Sequence, residues 1–186
     1  MAYTKEKIKK MINVEEPDYH NIAKKFGENE VKILIELTKD QDVSISSKAI
    51  STLGWIDSDS AIEGIENGVK STNPILKISA AQALKRKSEK TYREESGIGE
   101  KIKENTNYNI TVTGHDPNLK SKSDKITELF TDLLSDEDVG VKKFTLHAIP
   151  SGHGKKFENK LKDLQNNEKN KNLKKLTEEI IKKTEK

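Results

Sequence analysis

The 186-residue sequence predicts an all-α fold built as a stack of antiparallel helix pairs, and three observations lead there. An apolar triplet at helical spacing recurs at a nearly constant interval. Each copy opens on residues that cap helices. Most copies have a tight polar turn and a second apolar stripe beside them.

The triplet is Ile45, Ala49 and Leu53, which places apolar side chains at i, i+4 and i+8 on one face of a helix. It returns 31 residues later as Leu76, Ala80 and Leu84. The next copy, Val141, Thr145 and Ile149, lies 65 residues on, about two periods, and Leu173, Thr177 and Ile181 follow after another 32. Repetition of this kind is the mark of a solenoid, in which no unit buries its stripe alone and each folds by stacking on its neighbours.

Polar starts precede the copies: Asp40-Gln41-Asp42, Ser71-Thr72-Asn73-Pro74 and Ser135-Asp136-Glu137-Asp138. Their side-chain oxygens suit the unsatisfied N–H groups of a first helical turn, and proline is well placed just inside one. Turns follow at Asp57-Ser58-Asp59-Ser60 and at Pro150-Ser151-Gly152-His153-Gly154. Second stripes are Val31, Leu34, Thr38; Ile62, Ile65, Val69; Ile126, Leu129, Leu133; and Phe157, Leu161, Leu164. The predicted unit is therefore helix, short turn, helix.

The run from Ala49 to Ile65 combines small residues, the pair Leu53-Gly54, an acidic turn at Asp57-Ser58-Asp59, and Ala61-Ile62 opening a second helix. It resembles a bacterial HEAT-like repeat, well over 39–87 and more weakly over 122–181. The resemblance implies a right-handed superhelical solenoid of HEAT-like or ARM-like type, with the second helices lining a concave side. The period is shorter than the roughly 40 to 47 residues of longer HEAT forms, and tetratricopeptide and ankyrin signatures are absent.

One stretch breaks the pattern. Over 88–121, Gly97, Gly99, Asn105-Thr106-Asn107, the alternating Tyr108, Ile110 and Val112, and Gly114-His115-Asp116-Pro117 interrupt the period. The expectation is a degenerate repeat with an irregular central loop and a short extended piece. Residues 1–186 then form a single repeat domain, with lysine-rich ends at Tyr3 to Val14 and Asn172 to Lys183 acting as polar caps.

Composition narrows the function. There is no cysteine, which excludes disulfides and thiolate chemistry and points to a reducing, cytoplasmic setting. Lys5, Lys7, Lys9 and Lys10 are followed by no apolar signal region, and no apolar run approaches the roughly 18 residues of a membrane span. The net charge is only +3, but its distribution is uneven. Residues 28–68 hold three Lys against nine Asp or Glu, and 155–186 hold eleven Lys against six. Only Arg86 and Arg93 supply the bidentate fork that reads phosphates or guanines.

Candidate chemical sites read as structural features. His20, His115, His147 and His153 lack metal-ligand spacing. Gly152-His153-Gly154-Lys155-Lys156 lacks the spacing of a phosphate loop, and Gly97-Ile98-Gly99 shares the defect. Asp57-Ser58-Asp59 and Asp136-Glu137-Asp138 have neither the glycine nor the glutamate of a calcium loop. Asn109-Ile110-Thr111 is a glycosylation pattern without a secretory route. No nucleophile, base and orienter share a recognisable frame, so no catalytic residue, metal or cofactor is assigned.

The expectation is a monomeric, non-enzymatic scaffold or adaptor that binds a protein, basic in character, through the concave face. The residues named for that face are Glu36, Trp55, Glu63, Glu66 and Asn67, with Lys32 beside them. The alternative is weak, non-specific binding of nucleic acid or an anionic surface through Lys85-Arg86-Lys87, Lys90, Arg93 and the basic tail.

Overall fold

The computed structural model describes residues 3–95, 117–151 and 153–184. All regular elements among them are helical: α1 (Lys5–Ile12), α2 (Tyr19–Ala23), α3 (Glu28–Leu37), α4 (Val43–Leu53), α5 (Ser60–Val69), α6 (Pro74–Glu95), α7 (Pro117–Leu134), α8 (Val139–Ala148), α9 (Glu158–Asn167) and α10 (Lys171–Thr184), with a 3-10 turn at Gly154–Phe157 before α9.

Helix starts follow the capping residues. Ser44 N–H donates to Asp42 Oδ1 at 2.8 Å, Ile75 N–H to Asn73 Oδ1 at 2.9 Å, and Val141 N–H to Asp138 Oδ1 at 2.9 Å. Each satisfies a donor that the helix itself cannot. Glu30 ties the beginning of the chain to α3: its carboxylate accepts from the N–H groups of Tyr3 and Gly27, both at 2.9 Å.

The helices alternate between two layers. One holds α1, α3, α5, α7 and α9; the other holds α2, α4, α6, α8 and α10. Within the second layer, α2 packs on α4, α4 on α6, α6 on α8 and α8 on α10. Neighbours in a layer are parallel: Ser47 meets Ser79 at 2.8 Å and Gly54 meets Ala83 further along the same two helices. Consecutive helices are antiparallel, since Gly64 lies against Leu53 while Gly68 lies against Ile50. This is a helical-repeat array.

The predicted stripes form its core. Ile45, Ala49, Leu53, Ala80, Leu84, Val141 and Thr145 are essentially fully buried, and Ile8 to Leu173 belong to one continuous apolar cluster. Ile181, at the last helix, is only partly buried. Burial of such side chains contributes about 1.5 to 3 kcal/mol each, so the stack is held by helix-on-helix contact.

Residues 88–95 continue α6 and 117–121 open α7, because Ser88, Thr91 and Tyr92 are buried on the α6 stripe and Ser123 and Ile126 on the α7 stripe. Moreover α6 packs directly on α8. The stripes 65 residues apart therefore lie on helices in direct contact. Gly97, Gly99, Asn105-Thr106-Asn107, Tyr108, Ile110, Val112 and Gly114 to Asp116 lie outside the described residues.

Candidate functional site

The residues expected on the concave face divide into a ridge and one outlier. Parallel packing of α3 on α5 sets Glu36, Glu63, Glu66 and Asn67 on the same layer. Gly64 makes the close approach feasible, because a Cβ there would meet Ile35 of α3 at 3.1 Å and Leu53 of α4 at 2.3 Å.

Their exposure is unequal. Glu63 is exposed, as is Lys32. Glu36 is exposed and pairs with Lys5 of α1 at 3.0 Å, across 31 residues. Glu66 is mostly covered: it pairs with Lys70 at 2.6 Å and with Lys125 of α7 at 3.1 Å. The hydrogen bond from Lys70, opposed by burial and reinforced by Lys125, holds the Glu66 carboxyl below the usual carboxylate range. Asn67 donates from Nδ2 to Thr38 Oγ1 at 3.0 Å, joining α5 to α3. Glu66 and Asn67 therefore fasten neighbouring helices, while Glu36 and Glu63 meet solvent.

Trp55 stands apart from these four. It lies in the turn after α4, 40% exposed, with its ring 5.0 Å from that of His20 and 4.8 Å from the Arg86 guanidinium carbon. Both contacts belong to the other layer, and burial lowers the Arg86 pKa. Cation–π and edge contacts of this kind are worth about 0.5 to 1 kcal/mol each at exposed sites.

The remaining motif residues are engaged in structure. Lys87 is buried, and its ammonium donates to the carbonyl of Ile56 and, at 3.5 Å, of Ser58, so α6 holds the turn between α4 and α5. Burial pushes its pKa down to about 8. Asp57 pairs with Lys90, and Asp59 with Lys122 of α7 at 2.7 Å. Lys156 donates to Ser123 Oγ at 2.9 Å and lies 4.9 Å from the Tyr92 ring centre. Among the described residues no group of three or more His, Asp or Glu is arranged to hold a metal ion, and no helix is long and apolar enough to cross a membrane.

Lys125 and the His20–Trp55–Arg86 stack are what sequence reasoning missed. The first joins residues 59 apart, well off the repeat interval. The second joins three successive helices of one layer, for which the 31-residue offset from Trp55 to Arg86 was the available signal.

No protein-family model matches the chain, and no curated protein matches it. Among solved structures it is similar to the crystal structure of the HEAT-like repeats protein of the archaeon Thermococcus onnurineus NA1. The identity is 14%, the match covers 99% of this chain and 81% of that one, and the TM-score is 0.38. A bacterial origin of the repeat type is not shown by it.

Proposed function

We propose that the chain is a non-enzymatic, monomeric, cytoplasmic scaffold that binds a basic segment of a partner protein through the layer of α3, α5 and α7. In this reading the array is a right-handed solenoid of the bacterial HEAT-like type forming a single repeat domain over 1–186, and these helices line its concave side. What supports it is the parallel packing of α3 on α5, in which Gly64 lies against Ile35 and Asn67 meets Thr38, with Glu36 and Glu63 exposed on these two neighbouring helices. Glu66 and Asn67 hold that ridge rigid through Lys125 and Thr38. Trp55 packs toward α2 and α6 in the other layer and is reached only by a partner that wraps over the edge of the array.

A rigid acidic ridge raises association rates with a cationic partner, and the gain falls with added salt. Affinity capture from source cells identifies the partner, and Glu36→Lys with Glu63→Lys then tests the ridge. The double variant should bind at least tenfold more weakly at low salt while melting like the parent. Undiminished binding by the folded variant removes this face from consideration.

A further inference from the structure

The two layers differ in what they present outward. Counted over residues whose side chains are described, α2, α4, α6, α8 and α10 hold 13 Lys or Arg against three Glu, whereas α1, α3, α5, α7 and α9 hold 10 Lys against 11 Asp or Glu. Several cations of the basic layer are matched: Lys77 by Asp136, Lys90 by Asp57 and Lys142 by Glu168. Lys85, Arg86, Lys143 and Lys175 have no carboxylate at ion-pair distance among the described residues. Lys143 and Lys175, with His147 and a single carboxylate, Glu179, line one groove between α8 and α10.

Apolar exposure follows the same division. The exposed large apolar side chains among the described residues are Val14, Trp55, Ile75, Val139 and Phe144. Ile75 is on α6, and Val139 and Phe144 are on α8. Trp55 packs on His20 and Arg86 of α2 and α6, and the Val14 carbonyl accepts from Lys48 of α4 at 2.9 Å. All five thus stand on or beside the basic layer.

We propose that the outer face of this layer docks peripherally on an anionic lipid bilayer. Unmatched lysines meet the headgroup charge while Trp55, Ile75 and Phe144 enter the interfacial region, the pairing of charge and amphipathic side chains that such a surface favours. Nucleic acid fits less well. Val14, Ile75 and Val139 are aliphatic and cannot stack on bases, and Arg86 is the one described arginine side chain able to fork onto a phosphate. An acidic protein would need a separate matching pocket for each of five apolar side chains spread singly from the α1–α2 connection to α8, whereas a fluid surface accepts them anywhere.

Trp55 is the only tryptophan, so its emission reports directly on the face. The full chain is sedimented with vesicles of phosphatidylcholine alone or with about 30 mol% phosphatidylserine, at about 50 mM salt and again at several times that concentration. Binding to the anionic vesicles only, with a blue shift of Trp55 emission and loss of binding at high salt, is the expected result. Each lysine near such a surface is worth about fivefold in affinity, so Lys85→Gln, Lys143→Gln and Lys175→Gln together should weaken binding about a hundredfold without changing helicity. Ile75→Ser with Phe144→Ser should weaken it severalfold while preserving the salt dependence. Glu36→Gln with Glu63→Gln, on the opposite layer, should leave vesicle binding unchanged, so failure of the acidic ridge and failure of the lipid face are separable. Equal binding to neutral vesicles, no binding at low salt, an unmoved Trp55 emission, or displacement from the vesicles by a DNA oligonucleotide or an acidic polypeptide at equal charge would each overturn the proposal.

Discussion

Gly54→Ala tests the packing of the array at a point where nothing can give way. Gly54 ends α4 with φ −60° and ψ −23°, ordinary right-handed geometry that any residue adopts. Backbone conformation therefore favours alanine slightly, by about 0.4 to 1 kcal/mol through the unfolded chain. Space does not. A Cβ at Gly54 would sit 2.8 Å from Ala83 Cα and 2.9 Å from Ala83 Cβ, on the backbone of α6. Neither atom is the end of a flexible side chain, so α4 and α6 must move apart, which loosens Ala49, Leu53, Ala80 and Leu84 at once. Overpacking of this kind costs about 1 to 3 kcal/mol, and the middle of that range, about 2 kcal/mol, leaves a net loss of about 1 to 2 kcal/mol after the gain above. For a chain of this size, that lowers Tm by roughly 2 to 8 °C. Ala83→Gly should rescue Gly54→Ala only in part, because it removes the Cβ contact and leaves the Cα. Thermal unfolding followed by circular dichroism measures both. A Gly54→Ala protein that melts at or above the parent temperature would refute the close contact of α4 with α6.

Ala49 is fully buried, so Ala49→Leu should lose about 1 to 3 kcal/mol by the same crowding, read as a lower denaturation midpoint at constant slope. Glu168 is held below the ordinary carboxylate range by Lys142 and by the Asn170 N–H, so its stabilisation is present above its unfolded pKa and is lost as pH falls through the folded one. Acid titration of stability should therefore show a smaller loss below about pH 4.5 in Glu168→Gln than in the parent. Lys87 is the opposite case: its folded pKa of about 8 lies below the unfolded one, the unfolded chain binds more protons between the two, and stability from this group rises with pH across that window. Urea titrations at about pH 8 and pH 10 should show the parent gaining on Lys87→Met by at most about 3 kcal/mol, and no gain would contradict its burial. Lys77 and Asp136 bridge α6 to the start of α8, both mostly covered. A double-mutant cycle of Lys77→Met with Asp136→Asn should return a coupling of about 1 kcal/mol, and zero coupling would place the two helices apart.

Much of the fold was legible because stacking writes itself into sequence as a period. Ile45, Ala49 and Leu53, and their copies near 80, 145 and 177, could be found from spacing alone, and the caps Asp42, Asn73 and Asp138 marked where their helices begin. The interval from Leu76 to Val141 does not by itself say which helices touch. A period counts residues along the chain, whereas stacking requires adjacency in space, and α6 reaches α8 directly. The candidate ridge was legible in part. Helical periodicity placed Glu63 off the buried stripe, but the cover over Glu66 comes from Lys125, 59 residues away on a helix whose position no local pattern encodes.

The ion pairs explain how the two layers came to differ. Glu36 and Asp40 are met by Lys5 and Lys9 of α1, and Asp59 and Glu66 by Lys122 and Lys125 of α7. These pairs link a helix to the next member of its own layer or to the turn beside it, and all but Lys125–Glu66, which is partly covered on both sides, have a well-exposed partner. Such pairs contribute about 0 to 1 kcal/mol, too little to hold a stack whose buried side chains contribute more than that apiece. Their effect is on register: a slip of one helical turn would leave Glu66 without Lys125 and Asp59 without Lys122 together. Acids concentrated in the α3–α5 layer draw their lysines from within that layer, which leaves the cations of α8 and α10 largely without counterparts. One charge pattern therefore both aligns the repeats and polarises the molecule from face to face.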